Sequence, residues 1–154
     1  EKMGRKNILL GALVFFGLSL NAKATTCENI NQKMTEKNII IDFDIHNRTD
    51  KDYLETLQIG IDFYSEDQLV AGNNTKYSNN LSSGVSLKRG EIKHITAEFP
   101  NYFGNFNYTA NMNIKAAGGA VVCDEIKNAF QLVTPSKKYA KFFKVLLPVT
   151  FREK

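Results

Sequence analysis

Cys27 and Cys123 are the only two thiols in the chain, and His46 and His94 its only imidazoles. Two cysteines cannot build a four-Cys zinc site. In an oxidising compartment the default for a lone pair is a disulfide. A bond between Cys27 and Cys123 ties the start of the fold to a late strand, and the chain-entropy model values a loop of ~100 residues at up to about 4.7 kcal/mol. A redox-active thiol and an intermolecular bridge are the alternatives. The first has little support, because no Cys-x-x-Cys occurs.

Asp42, Asp44 and His46 alternate along one stretch, as the members of an acid/base or metal cluster would. Residues two apart on a strand lie about 6.6–6.8 Å from each other, too far for adjacent positions to grip one ion unaided. The row therefore reads as the solvated face of a strand. His94, beside Lys93 and close to Thr96, reads as a surface histidine. There is no Gly-x-Ser-x-Gly elbow or phosphate-cradling glycine loop. The sequence thus offers no catalytic, metal-ligating or cofactor-binding residue, and the expectation is a protein that is not an enzyme. Asn47, Asn73, Asn80 and Asn107 each begin an Asn-x-Ser/Thr triplet. Those are glycan acceptors in a eukaryotic secretory path, though turn chemistry explains them equally well.

The last chemically suggestive stretch is basic and aromatic: Lys137, Lys138, Tyr139, Lys141, Phe142, Phe143 and Lys144, followed by Leu146. Tyr139, Phe142, Phe143 and Leu146 fall at helical spacing, which suits an interfacial membrane helix. Phe143, Val145, Leu147, Val149 and Phe151 fall instead at strand spacing. Pro148 opposes both a central strand and a helix running through it. An extended edge strand or packing arm is the favoured reading. The arm then covers its own domain with snorkelling lysines or docks on another copy.

The elements that position these residues begin after a leader. Arg5 and Lys6 precede an apolar run of 13 residues, Ile8 to Leu20, short of the about 20 residues needed to cross a membrane. Ala22-Lys23-Ala24 supplies small residues at −3 and −1 of a cleavage site. This is the tripartite form of a secretory signal, with Met3 as initiator and cleavage after Ala24. Ala24-Thr25-Thr26 does not fit a lipobox before Cys27. Residues 1–24 carry a net +3 of the chain's +4, so the exported part is close to neutral at +1. Residues 127–154 hold seven Lys/Arg against one acid, which leaves residues 25–126 at −5. An acidic body with a basic tail does not suit nucleic acid. The organisation expected is a signal peptide (1–24), a sandwich domain (25–126) and a basic C-terminal strand or arm (127–154).

The body reads as strands. Ile39, Ile41, Phe43 and Ile45 alternate with polar residues over 38–46, and Leu57, Ile59, Ile61 and Phe63 do so over 57–64. A turn at 65–68 leads into Leu69-Val70. A soft Asn/Ser/Gly-rich region from 72 to 86 contains one short strand near 80–87. The stretch Ile92–Phe99 slips in phase between Ile92 and Ile95, which predicts a bulge or late start. Tyr108, Ala110, Met112 and Ile114 alternate over 108–115, and Gly118-Gly119 fits a hairpin needing positive φ before a strand at 120–123. No helical period appears between 38 and 126. Six or seven short antiparallel strands at this spacing predict an all-β, Greek-key sandwich.

The segments HNRTDKDY, LQIGIDFYSEDQLV and SLKRGEIKHITAEF, in this order, resemble bacterial exported domains of the immunoglobulin or fibronectin type III kind. The matching residues are Asn47, Thr49, Phe63, Tyr64, Leu69, Leu87, Gly90 and Glu91, within 38–116. In size, signal peptide and N-terminal Cys the chain is also similar to the interleukin receptor mimic protein family, small secreted antigens of pathogenic enterobacteria. That resemblance implies a fibronectin III-like fold, dimerisation by strand exchange and binding of host cytokines. It carries over no ligand-contacting residue. The expected function is an exported binding module for another protein, with a structural factor of the bacterial envelope as the alternative.

Overall fold

The computed structural model describes residues 25–78, 81–103, 107–133 and 145–154. The leader and the tail residues Lys137 to Lys144 lie outside the described residues. Within them the chain is an all-β sandwich of two sheets, antiparallel except for one short parallel pairing, with Greek-key, immunoglobulin-like topology. In chain order the strands are β1 (Thr25–Met34), β2 (Asn38–Asn47), β3 (Tyr53–Ser65), β4 (Gln68–Asn74), β5 (Val85–Leu87), β6 (Ile92–Pro100), β7 (Asn107–Ala116), β8 (Val121–Val133), β9 (Val145–Leu146) and β10 (Thr150–Glu153). One sheet has the order β1-β2-β6-β10. The other has the order β8-β7-β3-β4-β9, with β5 also paired to β3.

The alternating stretches become the inner faces. Ile39, Ile41, Phe43 and Ile45 of β2 and Leu57, Ile59, Ile61 and Phe63 of β3 are completely buried. Phe63 sits at the centre of an aromatic cluster. Its ring lies edge-on to Phe99, Phe103 and Phe130, with centroids 5.3, 4.9 and 6.2 Å away. Such edge-on pairs add about 0.5–1.5 kcal/mol each beyond area burial. The β3–β4 turn places Glu66 and Asp67 at φ 49° and 62°, matching the twist of a tight hairpin. Gly118 and Gly119 take φ 68° and 97° as their spacing predicts, and Ala117 joins them at φ 52°.

Several expectations change. The phase slip in β6 is not a bulge: β2 and β6 stay in register from Asn38 opposite Pro100 to His46 opposite Ile92. Ile92 simply points outward and is exposed. β1 had no strand signal, because its outer half alternates between exposed and half-buried positions and carries mostly polar residues. β8 runs ten residues past Cys123, through the 126/127 boundary expected from composition. Asn128 interrupts its pattern, adopting φ 54° at a register shift while its N–H donates to Asn111 Oδ1.

The end of the chain serves both sheets. β9 runs parallel to β4, and the buried Asn73 amide donates to the Leu147 carbonyl. After Pro148 the chain crosses to the other sheet, where β10 pairs with β6 and Phe151 is completely buried. Truncating a buried Phe to Ala costs about 3–5 kcal/mol. Phe151→Ala should therefore lower the denaturant midpoint by that equivalent, with an unchanged slope, whereas Arg152→Ala on the exposed face should cost less than about 1 kcal/mol.

Candidate functional site

Cys27 lies on β1 and Cys123 on β8, the edge strands that meet along one side of the sandwich. The Cys27 N–H donates to Asp124 Oδ2 at 2.9 Å, and the Gln32 side chain donates to the Gln131 carbonyl. The strands are thus fastened to each other, and in this structure Cys27 and Cys123, expected to pair, are both free thiols. Each sulfur has surroundings of its own. Burial, with Asp124, Asp44 and Glu28 nearby, pushes the Cys27 thiol up to about 12. Burial also raises Cys123, partly offset by hydrogen bonds that the Tyr53 hydroxyl and the Ala116 N–H donate to its sulfur. Neither environment makes a nucleophile, which requires a thiolate at working pH.

The Asp42, Asp44 and His46 row stands on the outer face of β2, and residues of β1 and β6, with Lys154 just after β10, complete it. His94 bridges two carboxylates, with Nδ1 2.8 Å from Asp44 Oδ1 and Nε2 3.4 Å from Asp42 Oδ1. Thr96 Oγ1 and Lys154 Nζ donate to Asp42, and Asn29 Nδ2 donates to Asp44. The Thr96 bond above all, then Lys154 and His94, hold Asp42 below the usual carboxylate range. The Asn29 bond, then His94, do the same for Asp44. His46 turns away toward Glu28, 3.6 Å off, while Glu28 accepts from Thr26 and Arg48. Both ring nitrogens of His94 face different carboxylates, so the cluster is a polar network that ties strands together. Among the described residues no group of three His, Cys, Asp or Glu could hold a metal ion. The expected interaction-arm residues Lys137, Lys138, Tyr139, Lys141, Phe142, Phe143 and Lys144 lie outside the described residues.

A different feature was not singled out in the sequence: the start of β8. Open sheet edges are templates for pairing, and proteins blunt them with charge, bulges or shortness. β1 carries Glu28 and Lys33 and a register shift between Glu28 and Asn31. β9 has two residues and β10 four, including Arg152 and Glu153. β8 has 13 residues and pairs only with β7 among the described residues; it carries Asp124, Glu125 and Lys127 and two register shifts, but these lie after its first two residues. Its first residues, Val121 and Val122, are uncharged and 52% and 57% exposed. The signal in the sequence was the pair of valines directly after a glycine hairpin.

No protein-family model matches the chain, and no curated protein matches it. Among solved structures it is similar to the C-terminal domain of wzt, with a TM-score of 0.67 and 13% identity, covering 79% of this chain and 80% of that one. At this identity the likeness shows the fold alone. It also matches, over 63% of its length, a Bacteroides uniformis beta-glucuronidase 2 (TM-score 0.41, 15% identity), and over 71% a Kluyveromyces marxianus beta-glucosidase in complex with glucose (TM-score 0.39, 16% identity). The matches span only 12% and 14% of those enzymes.

Lowered carboxylate pKa values stabilise the fold above the unfolded-state value near 3.8 and lose that contribution as pH falls through the native values. The melting temperature should drop below about pH 4. Asp42→Asn should flatten that drop while costing less than about 1 kcal/mol at neutral pH, since the side chain is a third exposed. Thermal melts across pH check both. In the reduced protein, Ellman's reagent should leave Cys27 unmodified until the chain unfolds.

Proposed function

We propose that this chain is an exported, non-enzymatic binding module that recognises another protein by accepting an extended segment along the start of β8. The observation that carries this reading is the exposed, uncharged pair Val121 and Val122 at the start of β8, the longest of the edge strands. Strand addition takes affinity from main-chain hydrogen bonds and specificity from alternate side chains. The occupant is a segment of a secreted or cell-surface protein, with host cytokine-type proteins first to test. A second copy joined by strand exchange is the self-associating form of the same contact.

Export fits the leader-like residues 8–24 and the adjacency of β1 to β8, where the Cys27 N–H reaches the residue next to Cys123. In the exported form we pair Cys27 with Cys123, which would lock that seam. Protein from the periplasm or medium should begin at Thr25 and contain no free thiol. Recovery in the cytosol with residues 1–24 attached sinks the export reading.

The binding test uses Val122→Glu. Val122 stands opposite Lys115 in the β7–β8 ladder, so the new charge has a partner within the fold while it blocks the edge. Immobilised wild type should retain a partner from extracellular fluid, or self-associate by light scattering, and the variant should bind at least about tenfold more weakly, equivalent to 1.4 kcal/mol. Equal binding by both proteins excludes the edge.

A further inference from the structure

The outer face of β3, β4 and β7 holds a feature that neither the core nor the β8 edge explains. It is a cavity of about 460 Å³, within the range of about 300–1,000 Å³ typical of small-molecule sites. Gly60 and Gly72 interrupt the outward rows of β3 and β4 and line it. Neither has positive φ, so backbone conformation does not demand glycine there. What demands it is space: a Cβ on Gly60 would lie 2.7 Å from Asn113 Oδ1, and one on Gly72 would collide with Asp62 Oδ1 and lie 2.9 Å from the Ile61 carbonyl. The missing side chains let Asn113 and Asp62 lie down against the sheet. A mid-strand glycine commonly marks such a close approach.

Register brings the rest together. Asn113 stands opposite Gly60, and Lys115 opposite Gln58. The Asn113 and Gln58 amides can each donate and accept, the Asp62 carboxylate accepts, and the Lys115 ammonium donates. Leu69 adds an apolar side chain from the β4 side. Asp62, Asn73 and Asn74 also have partners within the fold: Asn73 bonds the Leu147 carbonyl and the Asn74 N–H, and Asn74 Oδ1 accepts from the Lys76 N–H.

We propose that this groove binds a neutral polyhydroxylated ligand, a saccharide, through Gln58, Asp62, Asn113 and Lys115. One acid and one base leave the site without net charge, which disfavours an anion. A single carboxylate is too few for a divalent cation, which takes several oxygen ligands. No aromatic ring lines the cavity, so a flat base or haem has nothing to stack on. A sugar hydroxyl donates and accepts at once and matches this mixture, and the C–H face of a pyranose suits the Leu69 side chain. With hydrogen bonds as the main contacts, monosaccharide affinity should be in the millimolar range.

The test is a two-dimensional amide NMR titration of the full chain with glucose, galactose and N-acetylglucosamine up to about 50 mM, a range suited to millimolar affinity. At least one sugar should shift resonances of 58–62, 69–74 and 111–115. Asn113→Ala should weaken binding about three- to tenfold, as the loss of one or two neutral hydrogen bonds does. Gly60→Ala should weaken it at least as much by displacing the Asn113 side chain, with a melting temperature close to wild type because that side chain can swing aside. Val121→Glu, opposite Ala116 and away from the groove residues, should bind the sugar like wild type, which separates this site from the β8 edge. The proposal is overturned if no sugar shifts these residues, if the shifts map elsewhere, if both groove variants bind as wild type does, or if inorganic sulfate alone produces the response.

Discussion

Two rows of apolar side chains, one on each sheet, have to meet with no water between them. Ile39, Ile41, Phe43 and Ile45 form one row, and Leu57, Ile59, Ile61 and Phe63 the other, all with zero exposure. Because strand side chains alternate, a slip of one residue in either strand would turn a whole row into solvent. That penalty fixes the register of β2 against β6 and of β3 against β7. The outer faces inherit their arrangement from the inner ones. His94 meets Asp44, and Asn113 lies over Gly60, because the core on the other side permits no other alignment.

The join between the two rows is polar and equally constrained. Asn47 ends β2 with no exposed surface, and its amide donates to the carbonyls of Lys51, Leu87 and Lys88. Its Oδ1 accepts from the N–H and hydroxyl of Thr49. One side chain therefore ties the β2–β3 loop to the end of β5, with most of its hydrogen-bonding capacity used. A buried amide left half-satisfied would cost about 1–3 kcal/mol per lost partner. The Asn-x-Thr pattern at this corner is an architectural device.

How much of this was legible in the sequence depended on how many faces of a strand are buried. β2, β3 and β7 alternate cleanly because each has one face in the core and one toward solvent. β1 was not legible: it is an edge strand and buries only its first residues well. The length of β8 was hidden by the kink at Asn128, where the period breaks. The cysteines could be recognised as neighbours in purpose, but their bond could not be read from residue types. The saccharide groove left the faintest trace. It is made by what Gly60 and Gly72 lack, and by a cross-strand alignment that appears only once the sheet exists.

The final strand has a consequence for how the molecule bears load. β10 is an antiparallel edge strand joined to β6 at Thr150 to Glu153, with salt bridges from Arg152 to Glu98 and from Glu153 to Lys93. A force applied at Lys154 meets these attachments one after another, as in opening a zip, and the strand peels at low tension. Resistance rises only where Phe151 must leave the core and where Leu147 is held by Asn73. A tether at this end would therefore yield gradually and then stop, leaving the paired inner rows undisturbed.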